Sequence, residues 1–134
     1  MSDLHEQLRL TERAIERIRR GWWQGRPAVT HGWDGCSPDD PRAANWCLAG
    51  SFSVNYDITE ISGDREEVLR KLYHIIPSLP FRAEKPQPDR AFLIGALQSW
   101  NDVPHRAQET VLENLLKLKS QLENEIKEVQ PNAN

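Results

Sequence analysis

Two cysteines and four histidines are the nucleophilic and metal-ligating side chains of this 134-residue chain. Cys47 could serve as a nucleophile with His105 as its base and Asp102 or Asn101 as the orienting group, because pairing with an imidazole lowers the pH at which a thiol ionises. Nothing in the spacing forces these residues together, and Trp100-Asn101-Asp102 has a sufficient structural explanation as a helix-capping turn. His31, Cys36, Cys47 and His105 also suit Zn²⁺ chemically. Their His-x4-Cys-x10-Cys spacing lacks the paired clips that pin a structural zinc, so no metal is expected. Cys47, beside Trp46, then reads as a small buried hydrophobe. Gly21-Trp22-Trp23-Gln24-Gly25 follows a helix and lacks the Lys-Ser/Thr of a phosphate loop, so no nucleotide cofactor is expected.

Tryptophan is over-represented, with five Trp against three Phe and two Tyr. Trp46 and Trp100 each abut an apolar helical stretch and are expected in the core. Trp22, Trp23 and Trp33 fall in or beside one loop, and Trp33, between Gly32 and Asp34, is the best candidate for exposure. Trp and Arg dominate interface hot spots, so Trp22, Trp23 and Trp33 with Arg13, Arg17 and Arg20 form the expected contact surface for a protein partner. Arginines beside indoles also suit single-stranded nucleic acid. The interleaved Glu12 and Glu16 and a net charge of −3 disfavour that partner. The acidic centre, with Asp34, Asp39, Asp40, Asp57, Asp64, Glu66 and Glu67, reads as solvated loop and helix N-termini.

The elements that must position these residues follow from periodicity. Leu4, Leu8, Thr11, Ile15, Ile18 and Trp22 recur at steps of three and four, predicting a first helix over residues 1–21 with Arg9, Arg13, Arg17 and Arg20 on the opposite face and Gly21 as its stop. Residues 25–41 are punctuated by Gly and Pro and read as a loop, with a short hairpin within 26–36. Ser37 to Pro41 reads as a capped start for a short helix through Ala43, Ala44, Trp46, Cys47 and Leu48, ending near Gly50. Residues 51–61 alternate as a strand would, yet offer no partner strand, leaving strand and loop both open. Asp64 is the expected cap of a helix carrying Val68, Leu69, Leu72, Tyr73, Ile75 and Ile76, ended by Pro77. Residues 77–89 form a Pro-rich connector, and Asp89 caps a segment, Ala91 to Leu97, that is apolar all round and expected to be buried on most sides. Ala107, Val111, Leu115, Leu118, Leu122, Ile126 and Val129 are the seam of a long helix within 104–129, which could also serve as a homodimer interface. The expectation is a single mainly α-helical domain over residues 1–134, of four to five helices.

Gly21-Trp22-Trp23-Gln24-Gly25, Trp46-Cys47-Leu48-Ala49-Gly50-Ser51, Trp100-Asn101-Asp102 and the Thr110-Val111-Leu112 start of the last helix together resemble a family of small uncharacterised bacterial and phage proteins. In that family a helix ends in a Gly-Trp-Cys-Gln-Gly-like turn, a Trp-Cys-x-x-Gly-Ala-like helix follows, and an aromatic-Asn-Asp turn precedes the final helix. The resemblance spans residues 12–118 and implies a compact, mainly helical fold and, in a phage setting, engagement of a host protein, including a defence component. Trp23 stands where the family has Cys and Ser51 where it has Ala, so a two-thiol site cannot be assembled here from the same positions.

No stretch reaches the roughly 18 apolar residues of a membrane span, and the first residues lack a signal-peptide pattern. A cytoplasmic protein with reduced cysteines is expected. The leading functional reading is a non-enzymatic protein-binding or regulatory protein. The alternatives are a small Cys/His-dependent hydrolase or thiol enzyme centred on Cys47, and a weak nucleic-acid binder using the arginine face of the first helix.

Overall fold

A computed structural model describes residues 3–55, 61–77, 79 and 89–129. Helix α1 spans Leu4–Arg20. The Asp3 carboxylate accepts from the Glu6 amide at 3.1 Å, and Arg17, Arg19 and Arg20 occupy the last turn, where cations suit the helix dipole. Gly21 ends the helix in extended backbone rather than as a left-handed stop. What position 21 requires is a close approach: a Cβ there would collide with the Ala44 carbonyl oxygen.

Three two-residue strands follow, β1 (Ala28–Val29), β2 (Gly35–Cys36) and β3 (Asn45–Trp46), forming an antiparallel sheet in the order β2-β1-β3. Ala28 pairs with both Cys36 and Trp46, which realises the hairpin expected within 26–36. The helix expected from Ala43 is corrected. The Ala44 amide donates to Val29 O, Trp46 N donates to Gly21 O and Trp23 N donates to Trp46 O, so this backbone is consumed by the sheet and by a parallel bridge to Trp22. Only after Cys47 does the chain coil, as the short helix α2 (Leu48–Ser51).

Helix α3 (Gly63–Ile75) is capped by the Ser62 hydroxyl, which accepts from Arg65 N at 3.2 Å; the expected cap, Asp64, lies in the first turn and accepts from the Asp3 amide at 2.8 Å instead. Helix α4 (Arg90–Asn101) is capped by Asp89 as expected. It buries Leu93, Ala96, Leu97 and Trp100, while Ala91 and Gly95 are exposed and Ile94 is half-exposed. The expectation of burial on most sides is corrected to burial on one face. Phe52 and Val54 are buried, but residues 56–60 lie outside the described residues, so the strand-or-loop question for 51–61 lies partly there. The connector around Phe81 to Gln87 lies outside them entirely.

Helix α5 begins at Gln108 and ends at Val129, packing Val111, Leu115, Leu118 and Leu122 chiefly against α1. Each such leucine contributes about 1.5–3 kcal/mol of burial. The seam offered to a second copy is therefore already used within the chain as far as Leu122, with Ile126 half-buried and Val129 exposed. The α1 stripe is rotated from the one expected: Gln7, Leu10, Thr11, Ala14, Ile15 and Ile18 are buried, with Leu4 and Leu8 at the margin. Gln7 is accommodated because its amide donates to Glu67 and accepts from Lys71, and Lys71 pairs with Glu125 at 2.7 Å. This polar clasp ties α1, α3 and α5 together. The result is a mainly helical fold, five helices and one small sheet among the described residues, around a shared core of α1, α3, α4 and α5.

Candidate protein-binding surface and the Asn101 junction

The three signatures that stood apart in the chain meet at Asn101, which is fully buried at the end of α4. Its Oδ1 accepts from Trp22 Nε1 at 2.7 Å and from the Leu48 amide at 3.2 Å. Its Nδ2 donates to Trp23 O at 3.0 Å and to Asp102 Oδ1 at 3.0 Å. Gln24 Nε2 reaches Asn101 O at 2.9 Å and Val103 O at 3.0 Å, and Gly25 N donates to Asp102 Oδ1 at 2.9 Å. A turn after α1, the start of α2 and the end of α4 are thereby fastened by one amide side chain. Buried polar groups of this kind stabilise only when every donor and acceptor is met, and here they are. The sequence reads Asn101-Asp102 as a capping turn and gives no sign of the junction, because Trp22, Trp23 and Leu48, which Asn101 joins, lie more than fifty residues away in the chain.

Cys47 belongs to the same junction. Its Sγ donates to Gln98 Oε1 at 3.4 Å and accepts from Gly50 N at 3.3 Å, making it the N-cap of α2. Burial pushes the thiol up to about 11, and the negative charge of Asp102 adds to that rise. This is the reverse of the activation a catalytic thiolate requires. His105 is exposed, in left-handed backbone (φ 71), within the turn between α4 and α5, and it is not among the hydrogen-bond partners of Cys47 Sγ. Asp102 is spent on Gly25, Asn101 and Gln98. No hydrogen bond among the described residues joins Cys47 to His105. His31 is exposed on the hairpin turn and Cys36 is half-buried in β2, its thiol raised by burial. Among the described residues no group of three or more His, Cys, Asp or Glu side chains could hold a metal ion.

Trp46 and Trp100 are buried and Trp33 is exposed, as expected, whereas Trp22 and Trp23 are both half-buried. Trp46 is buried, donates Nε1 to Pro38 O at 2.9 Å and lies under Arg17 and Arg20, whose guanidinium carbons sit 5.5 Å and 6.0 Å from its ring centre. Trp100 is buried beneath Arg106, 4.2 Å from the ring. Trp22, expected in the contact surface, is half-buried and packs on the core with its N–H held by Asn101. Trp23 and Trp33 stack on each other with ring centres 4.8 Å apart and planes at 17°, and Trp33 is 59% exposed. Thr30 builds the turn that carries Trp33: its O accepts from Trp33 N at 3.0 Å, and its hydroxyl accepts from Gly32 N and Asp34 N. Trp33 itself stands at φ 69, a conformation that costs a non-glycine residue about 1 kcal/mol.

The arginine face of α1 is corrected. Arg13 Nη2 donates to Ser53 Oγ at 2.8 Å, and Arg17 donates to Gly50 O, Ser53 Oγ and Asp39 Oδ1, so both turn onto the chain. Arg20, loosely paired with Glu16 at 3.8 Å, remains exposed. No helix among the described residues is long and apolar enough to cross a membrane. Compared with known proteins, the chain matches no family model, no curated protein and no solved structure.

Proposed function

We propose that this chain is a non-enzymatic protein-binding module that presents Trp33 from the β1–β2 hairpin turn, stacked on Trp23 of the segment after α1. The observation that carries this reading is the 59% exposure of Trp33 on a ring stack already formed in the free protein. Two indoles held in place lose little further conformational freedom on binding, which is what makes preorganised aromatics effective anchors. Arg20 supplies an exposed cation on the neighbouring end of α1. The buried, un-ionised Cys47 and the inward-turned Arg13 and Arg17 favour this reading over the thiol-enzyme and nucleic-acid alternatives. The bacterial and phage resemblance of the three signatures makes a host protein, including a defence component, the partner class to search first.

Parallel affinity capture from a bacterial lysate with wild-type, Trp33→Ala and Cys47→Ser protein tests the proposal. A specific partner should be retained by the wild type and by Cys47→Ser, and weakened at least roughly tenfold by Trp33→Ala, the loss typical of a hot-spot aromatic. Equal recovery by all three proteins would contradict it.

A further inference from the structure

Ser53, just after α2, is 8% exposed and stands in left-handed backbone at φ 63. That conformation closes α2 as a Schellman motif, with Ser53 N donating to Gly50 O at 2.8 Å and Val54 N to Ala49 O at 3.1 Å. Three guanidinium groups converge on this residue. Arg13 Nη2 and Arg17 Nη1 donate to its hydroxyl at 2.8 Å and 3.0 Å, and Arg65 Nη1 donates to its carbonyl at 3.4 Å. Among the described residues the carboxylate hydrogen-bonded into this group is Asp39, whose Oδ1 accepts from Ser53 Oγ at 2.6 Å and from Arg17 Nη2 at 2.9 Å, while Glu6, bonded to Arg9, also faces Arg13 and Arg65. Three cations and one anion joined through Ser53 give a formal +2 among the described residues, to which the adjoining Arg9–Glu6 pair adds no net charge. The Nε atoms of Arg13 and Arg65 are buried and have no hydrogen-bond partner. Buried donors are ordinarily satisfied, and leaving one unmet costs about 1–3 kcal/mol, so an acceptor that reached either Nε would be stabilised. Burial, with the charges of Arg17, Arg9 and Arg65, holds the Arg13 guanidinium below its ordinary value. Partial burial pushes the Asp39 carboxyl up, but the Ser53 hydroxyl, Arg17 and Arg13 outweigh it and hold the group below the usual carboxylate range.

We infer that Arg13, Arg17, Arg65 and Ser53 form an oxyanion site for a dianionic phosphate group, in which Asp39 is a displaceable internal substitute. The Asp39 side chain is 61% exposed, so the site opens to solvent at the carboxylate itself. A phosphate group brings close to two negative charges and three strong acceptor oxygens, where Asp39 brings one charge and two oxygens. Replacing one by the other reduces the excess positive charge and offers guanidinium groups the bidentate geometry they favour. The site is independent of the indole pair, and either can fail without the other.

Isothermal titration at neutral pH and fixed ionic strength, with inorganic phosphate in one arm and adenosine monophosphate in the other, separates a free from an esterified source. The wild type should bind at least one of them saturably, and the tighter arm identifies the source. Arg65→Gln should weaken binding roughly tenfold, the worth of one charge-assisted hydrogen bond. Asp39→Asn, an exposed change, should tighten it severalfold, a direction that misfolding cannot produce. No saturable binding in the wild type or in Asp39→Asn would overturn the inference. So would affinity unchanged in Arg65→Gln, or affinity lowered by Asp39→Asn.

Discussion

The Asn101 junction and the Trp33 hairpin turn both carry tryptophan, yet they use it in opposite ways. At the junction Trp22 surrenders its N–H to a buried amide and one face to the core, and Trp100 and Trp46 are sealed. At the hairpin turn Trp33 stacks on Trp23 of the segment after α1 and stays 59% exposed. The first arrangement is paid for by folding; the second gains nothing comparable from it. An exposed indole on a strained backbone, on a turn built by one threonine, is therefore a feature to be explained by contact with something else.

That contrast can be broken first at the junction. A Cβ at position 50 would sit inside the Pro27 carbonyl, a backbone atom with nowhere to go, so Gly50→Ala should lose more than about 4 kcal/mol or fail to fold, as followed by circular dichroism in urea. Asn101→Ala should cost about 3 kcal/mol in the same assay, because it orphans the Trp22 N–H and the Leu48 amide at once.

A smaller effect should appear with pH. Since burial raises the Cys47 thiol from 9.0 to about 11, the unfolded chain ionises first as pH rises. Stability from this group is full below pH 9 and drains away towards 11, by an amount on the order of 2 kcal/mol. Urea midpoints across that range should fall more steeply for the wild type than for Cys47→Ser. At neutral pH a thiol reagent should label Cys36 well before Cys47, which is inaccessible until the protein opens.

The helices were legible because their apolar spacing is local. The α5 seam from Val111 to Leu122 and the Asp89 cap stand where the chain pattern put them, while Ala107 before the helix and Val129 at its end are exposed. The α1 stripe was displaced because a buried Gln7 looks polar until Glu67 and Lys71 are placed beside it. The stretch Ala43 to Cys47 has a helical pattern yet pairs as a strand for a related reason: Gly21, Trp23 and Val29 supply its hydrogen bonds from elsewhere in the chain. Of the candidate surface, the exposure of Trp33 could be anticipated from its Gly-Asp neighbours. The inward turn of Arg13 and Arg17 could not, since Ser53 and Asp39, which draw them in, carry no periodic signal.

The central claim is that the Trp23–Trp33 stack is dispensable to the fold, and urea denaturation of Trp33→Ala beside Trp46→Ala tests it most directly. Trp46→Ala should cost about 3–5 kcal/mol, the usual result for a large buried aromatic, while Trp33→Ala should stay within about 0.5–1.5 kcal/mol of wild type, the worth of an aromatic pair. A loss for Trp33→Ala as large as that for Trp46→Ala would make the stack a structural post and contradict the account.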